Sequence, residues 1–228
     1  MRLALLSGGA AQALVGAIAR EAGWEVAGAF GPVGAMKERL LAGEAADLVI
    51  LTAALIEELA AAGQLVAATR ADLGRVRTGL AVRAGDPVPP IATPAELRAA
   101  LAAAGEIHLA DPQKATAGIH FMRVLEALGI AAPLAARLRP HPGGVAAMHA
   151  LAKAADARAL GCTQITEILA VPGVALAGPL PREFELATVY SGAVTTRAAD
   201  PAAARSFLGL LAGESSRRLR ERLGFEPA

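Results

Sequence analysis

Gln164 and Glu167 stand three residues apart in Thr163-Gln164-Ile165-Thr166-Glu167, a spacing that puts both on a similar face of a helix. A planar amide such as Gln164 can donate and accept at once, which suits an organic acid better than a metal oxyanion. Glu167 is either a base or the residue that reaches back to cap the helix start. In Asp111-Pro112-Gln113-Lys114-Ala115-Thr116, Lys114 is either a cation for a ligand carboxylate or an exposed lysine. Thr116 there is either a hydrogen-bond donor or an N-cap. His120, one turn further on, carries a proton if it faces a ligand and packs in the interior if it does not. Moving a proton between two carbons needs one group to remove it and another to return it. His120 and Glu167 are the candidate catalytic pair, with His141 in Pro140-His141-Pro142-Gly143-Gly144 as a third. Tyr190 is a ligand contact or a hinge-packing residue. Cys162 has no histidine partner nearby in sequence and reads as a small core residue.

A second pattern lies in the backbone. Four helices are expected to start directly after strand ends, near Gly9, Val33, Ala115 and Thr163. Free N–H groups and the positive end of a helix dipole make such starts favourable for an anion. Gly8, Gly9 and Gly34 either let a ligand approach the backbone or only form tight turns.

The elements that must position these residues follow from hydrophobic periodicity. Leu3–Leu6 reads as a strand ended by Ser7-Gly8-Gly9, and Ala10–Ala22 as a helix. Trp24–Phe30 is a strand, Val33–Ala42 a helix stopped at Gly43, and Asp47–Leu51 a fully buried strand. Thr52 caps a helix that ends at Gly63. This βαβαβα order predicts a parallel sheet covered by helices, with ligands at the carboxyl edge of its strands. Further strands are expected at Val76–Val82, Glu106–Ala110, Ala157–Cys162 and Glu185–Thr195. Helices are expected at Thr93–Ala104, Ala115–Leu128, Val145–Ala155, Thr163–Leu169, Pro201–Leu211 and Ser215–Leu223.

Composition narrows the classes. The 228 residues are 54 % hydrophobic but only 3 % aromatic, so Ala, Leu, Val and Gly must do most of the packing. With 22 basic and 21 acidic residues, the chain lacks the basic excess and aromatic platforms of a nucleic-acid binder. The Arg217, Arg218, Arg220 and Arg222 cluster reads as a solvated helix face. No uninterrupted apolar run of about 18 residues predicts a membrane span. The lone Cys162 precludes an internal disulfide, and the four histidines show no zinc-type spacing, so neither metal nor cofactor is expected. Ser7-Gly8-Gly9 interrupts the apolar start, so the segment is read as structure and not as a leader. That predicts a cytoplasmic chain as encoded, or a periplasmic one if a leader has been removed.

Three segments carry a family resemblance: Phe30 through Ile50 with its Gly-Glu-Ala-Ala-Asp-Leu-Val-Ile end, Asp111 through Ile119, and Leu160 through Glu167. Together they resemble the molybdate-type substrate-binding proteins of ABC transporters. The resemblance implies an α/β, two-lobed, type II periplasmic-binding-protein-like fold, each lobe a mainly parallel sheet flanked by helices. Lobe 1 would comprise residues 1–79 and 186–228 and lobe 2 residues 80–185. Two hinge crossovers would join them, with a ligand cleft between. It also implies a small anionic ligand and, if the chain is exported, an ABC permease as partner.

The family's ligand contacts fall on Ala10, Val33, Ala117, Val145 and Gln164. Two family serines are replaced at Ala10 and Val33, and a tyrosine at Gln164. Ala117 and Val145 would contribute through their backbones. Ser7 stands close enough to Ala10 to supply a hydroxyl, and Ala35 follows Val33-Gly34 in the second loop. With hydroxyl donors missing, an organic di- or tricarboxylate is expected in preference to molybdate. The alternative is a cytoplasmic isomerase of a small unsaturated acid, resembling aconitate isomerases.

Overall fold

The computed structural model describes residues 2–228, which form two compact units. The first comprises residues 2–76 and 188–228 and the second residues 77–187. The first begins with β1 (Arg2–Gly8), α1 (Gln12–Glu21, after a single 3-10 turn), β2 (Glu25–Gly31), α2 (Val33–Leu41), β3 (Leu48–Thr52) and α3 (Ala53–Ala61). The chain passes into the second unit along β4 (Ala71–Arg83). It continues through α4 (Pro94–Ala103), β5 (Ile107–Ala110), α5 (Thr116–Ala127), α6 (Ala131–Leu134), β6 (Leu138–His141), α7 (Gly144–Leu151), β7 (Leu160–Gln164), α8 (Ile165–Leu169) and β8 (Val174–Pro179). It returns through β9 (Ala187–Val194) and ends with α9 (Pro201–Ala212) and α10 (Arg217–Arg222).

In the first unit the strand order is β2-β1-β3-β9-β4. β1 runs parallel to β2 and β3, and β9 runs antiparallel to β3 with Tyr190 opposite Thr52. The apolar strand residues Leu5, Leu6, Val49 and Ile50 pack with Leu14 of α1 and Phe207 of α9 in one core. Asp47, at the end of the Gly-Glu-Ala-Ala-Asp segment, is a structural residue. Its carboxylate accepts the Ala4 amide at 2.8 Å and the Ala199 amide at 2.7 Å, joining the start of β1 to the segment before α9. Two charged hydrogen bonds of this kind contribute about 1.5–3 kcal/mol each.

In the second unit the order is β4-β7-β5-β6, with β8 on the other side of β4. β5 is parallel to β6 and β7, while β7 and β8 are antiparallel to β4. Alternation along the strands buries both faces. Leu80, Val82, Leu109, Cys162 and Phe121 of α5 fill one side. Ala81, Met148, Leu151 and Ile168 fill the other.

Three differences from the sequence reading have physical causes. β6 is an edge strand with Pro140 in it, and β8 is a half-buried edge strand with Gly178 at φ 156°; neither has the clean alternation that announces a strand. The helix expected from Thr163 starts only at Ile165 and has five residues. Thr163 stays in the sheet, paired with Gly79. β4 also begins at Ala71, earlier than its most apolar stretch suggests.

Helix α5 sits hard on the end of β5. A Cβ on Gly118 would lie 2.3 Å from the carbonyl oxygens of both Ala110 and Asp111, which are backbone atoms with nowhere to go. Gly16 in α1 has nothing within 4 Å of the same position. Opposite signs are therefore expected for the two alanine substitutions. Gly118→Ala should destabilise by about 1–3 kcal/mol, and Gly16→Ala should stabilise by about 0.5–1 kcal/mol. Urea denaturation of each variant checks this; equal effects would contradict the close approach of α5 to β5.

Candidate functional site

The parallel strands of each unit bring helix starts to one sheet edge. In the first unit β1 and β2 end at Gly8 and Gly31, where the 3-10 turn Gly9–Ala11 and α2 begin. In the second, β5, β6 and β7 end in common register, and α5, α7 and α8 follow them. Side-chain capping differs among the helix starts. α4 carries a capping box formed by Thr93 and Glu96, and α9 is capped by Asp200. No side-chain cap is present at Ala11, Pro32, Ala115 or Gly143, which precede α1, α2, α5 and α7. Of the helix starts at these edges, α3 has one, from Thr52.

The first unit's edge is apolar. Ala10 and Val33 are buried, and Gly34 and Ala35 are half-buried in the first turn of α2. Ser7 is fully buried and its hydroxyl donates to the Gly8 carbonyl at 2.9 Å, so its proton is already committed. Gly8 is glycine because a Cβ there would meet Val33 Cγ1 at 2.8 Å and the Tyr190 ring at 3.0 Å. Gly9 is half-buried beside it. Tyr190 is buried and packs its ring over Gly8.

The second unit's edge is polar and buried. Leu160, Cys162 and Gln164 share one face of β7, and Thr78 of β4 is the direct cross-strand partner of Gln164. Directly opposed residues have Cβ atoms about 4.5–5.5 Å apart. Gln164 is 2 % exposed and Thr78 1 %. Neither Oε1 nor Nε2 of Gln164 has a hydrogen-bond partner, nor does the Thr78 hydroxyl. Thr166, 2 % exposed in the first turn of α8, has an unpartnered hydroxyl as well. Each such atom costs about 1–3 kcal/mol when withdrawn from water without a partner.

Glu167 lies next to this group and is held differently. Its carboxylate accepts the Thr163 hydroxyl at 2.5 Å and a backbone bond from Gln164, the helix-capping half of its expected roles. The first residue of α7 presses on it. A Cβ on Gly144 would fall 1.9 Å from Glu167 Oε2 and 2.1 Å from Thr163 Oγ1, so only glycine lets the helix start so close to the carboxyl. Burial pushes the Glu167 carboxyl up to about 6, against the two hydrogen bonds that pull it down.

The remaining candidates are distributed around the same edge. Ala117 is buried and Val145 half-buried, in the first turns of α5 and α7. Thr116 is the first residue of α5, not its cap, which is Ala115. Lys114 is exposed in a turn ordered by Asp111, whose Oδ1 accepts the amides of Gln113 and Lys114 at 2.7 and 3.0 Å. His120 Nε2 lies 2.7 Å from the Phe184 carbonyl oxygen and must donate to it, which leaves Nδ1 as its available nitrogen. His141 Nε2 lies 3.0 Å from His108 Nδ1, and His108 Nε2 lies 3.3 Å from Glu106 Oε1 without hydrogen-bond alignment. Burial and the neighbouring His108 hold His141 below the usual imidazole range. Burial raises the Cys162 thiol far above its ordinary value, which makes it inert. Thr78 and Thr166 escaped the sequence reading. Only a correct pairing of β4 with β7 would have brought Thr78 to Gln164.

Among the described residues, no group of three His, Cys, Asp or Glu side chains is placed to hold a metal ion. No described helix is long and apolar enough to cross a membrane.

Comparison with known proteins adds the family. The bacterial extracellular solute-binding protein profile matches residues 6–226. An aconitate isomerase from a Pseudomonas species is 31 % identical over 195 residues, covering 85 % of this chain and 72 % of that protein. The periplasmic molybdate-binding protein of Azotobacter vinelandii shares the fold at 20 % identity and a TM-score of 0.79, covering 99 % of each chain. So does the substrate-binding domain of a putative molybdenum ABC transporter from Clostridium difficile, at 17 % and 0.69 over 100 % and 99 %. The sulfate-binding protein SubI of Mycobacterium tuberculosis shares it at 15 % and 0.72, over 100 % of this chain and 87 % of that one. These structural likenesses establish a type II periplasmic-binding-protein fold.

The raised Glu167 carboxyl gives a signed pH dependence. The folded chain holds this proton more tightly than the unfolded chain, whose carboxyl titrates near 4.5. Stability from this group is therefore greatest below pH 4.5, falls as pH rises toward about 6, and stays reduced above it. The loss is about 2 kcal/mol. Relative to the parent, Glu167→Gln should gain that amount between pH 4.5 and 7 in denaturant unfolding, whatever its fixed offset. A difference independent of pH would contradict the assignment.

Proposed function

The chain belongs to the family of bacterial extracellular solute-binding proteins, and on that premise we propose that it binds a small organic di- or tricarboxylate. The observation that carries this reading is the buried, unpartnered set of Thr78, Gln164 and Thr166 in the second unit. One amide and two hydroxyls there are too few side-chain donors to cage a tetrahedral oxyanion. Such a cage needs donors on every side, because each unmatched oxygen loses its water without replacement. A carboxylate is planar and needs donors along one edge, which an amide N–H and neighbouring hydroxyls can supply. The uncapped first turns of α5 and α7 add free amides and a favourable dipole at the same sheet edge. The 31 % identical aconitate isomerase supports a carboxylate independently of the geometry. If the chain is exported, an ABC permease is the partner that receives the ligand.

One observation favours a second reading, an isomerase acting in the cytoplasm by proton shift. Glu167 is buried with a carboxyl near 6, so it can exchange a proton near neutral pH. His120, bound through Nε2 to Phe184, would be the second proton-handling group.

Two assays separate the readings. A thermal-shift screen should show a di- or tricarboxylate at about a hundred times its Kd stabilising by about 2.7 kcal/mol. That corresponds to roughly 5–10 °C for a chain of this size. Molybdate and sulfate should leave the melting temperature in place; a shift with either oxyanion and none with carboxylates would overturn the proposal. Ultraviolet absorbance of cis- and trans-aconitate should stay constant for a binder. Turnover that disappears in both His120→Ala and Glu167→Gln would replace binding by isomerisation.

A further inference from the structure

Gln164 carries two demands, and a carboxylate answers only one of them. Its Nε2 donates, and a carboxylate oxygen accepts. Its Oε1 can only accept, and it is as buried and as unpartnered as the nitrogen. A fully ionised carboxylate or oxyanion offers no proton to it. The neighbouring hydroxyls do not fill the place, because Thr78 Oγ1 and Thr166 Oγ1 make no hydrogen bond to Oε1. The residue that carries the amide is fixed in the sheet. It is the last of β7, opposite Thr78, with Cys162 packed in the core beneath and Ile165 opening α8 above. Swapping the two ends of the amide changes nothing, since both ends are unsatisfied.

We infer that the ligand is a hydroxylated polycarboxylate, whose alcohol O–H donates to Gln164 Oε1 while an adjacent carboxylate accepts from Gln164 Nε2. This rests on the reading that Gln164 faces the ligand. The arrangement is a bidentate pair in which donor meets acceptor twice, and it explains why an amide suits this place better than an acid or a hydroxyl. A carboxylate side chain would repel the ligand's charge. A serine or tyrosine would have to donate and accept through one oxygen, whereas the amide presents the two functions on separate atoms in one plane. Thr78 and Thr166 then serve the carboxylate's remaining lone pairs, since a hydroxyl can rotate to donate.

The test uses two matched pairs that differ by one hydroxyl: citrate against tricarballylate, and malate against succinate. Isothermal titration calorimetry on the unaltered chain should show the hydroxylated member of a binding pair tighter by at least about tenfold, as expected when a buried acceptor is otherwise left empty. In Gln164→Met, a volume-matched apolar replacement, that ratio should fall toward one. If the unhydroxylated member binds equally well or better, water or nothing serves Oε1. The hydroxyl inference then falls while the polycarboxylate reading stands. If neither pair binds, the polycarboxylate reading itself fails and takes this inference with it. Should Gln164→Met not fold, the matched-pair ratio in the unaltered chain still decides.

Discussion

A polar atom taken out of water must find another partner, and the end of β7 is where this chain leaves several without one. Gln164, Thr78 and Thr166 are each at most 2 % exposed, and between them four side-chain atoms lack a hydrogen bond. At about 1–3 kcal/mol each, this is a large penalty against the net stability of an ordinary domain, about 5–15 kcal/mol. An apolar residue in any of these positions would avoid it. Other polar groups beside them in the second unit are satisfied: Thr163 donates to Glu167, and Asp111 orders the turn before α5. A molecule that partnered these four atoms would remove the penalty.

The surrounding fold supplies what that position needs. β5 and β7 run parallel and in register, so their ends fall at one level, and Gly118 in the first turn of α5 lets that helix approach two carbonyls. α7 begins on another glycine, pressed against Glu167 and Thr163. The starts of α5 and α7 carry no side-chain cap, whereas α3, α4 and α9 do. A cap would stabilise the helix and also occupy the amides. No side-chain cap occupies the first-turn amides of α5 and α7, at some cost in local helix stability.

Much of this was legible in the sequence. The βαβαβα start follows from apolar runs broken by glycine. Gly43, Gly63 and Gly129 do adopt the left-handed conformation that ends a helix, at φ 91°, 71° and 68°. Thr52 caps α3, and Thr93 with Pro94 opens α4. The type II periplasmic-binding-protein fold follows from the three motif segments. Pairing across the sheet was not legible. Thr78 carries no local signal, and only the antiparallel register of β4 with β7 sets it opposite Gln164. Asp47 looked like the start of a strand, yet its carboxylate is a long-range tie to residue 199. Edge strands β6 and β8 were hidden by proline, glycine and half-burial. Local rules expose what neighbouring residues decide, and long-range partners stay out of their reach.

The central claim, that the unsatisfied amide at the end of β7 is completed by a ligand, is tested most directly by a crystal structure of the chain grown with a saturating hydroxy-tricarboxylate. The account predicts ligand density in which Gln164 makes two hydrogen bonds of about 2.7–3.2 Å, one to a carboxylate and one from an alcohol. Ligand density remote from Gln164, with ordered water completing the amide in its place, would contradict it.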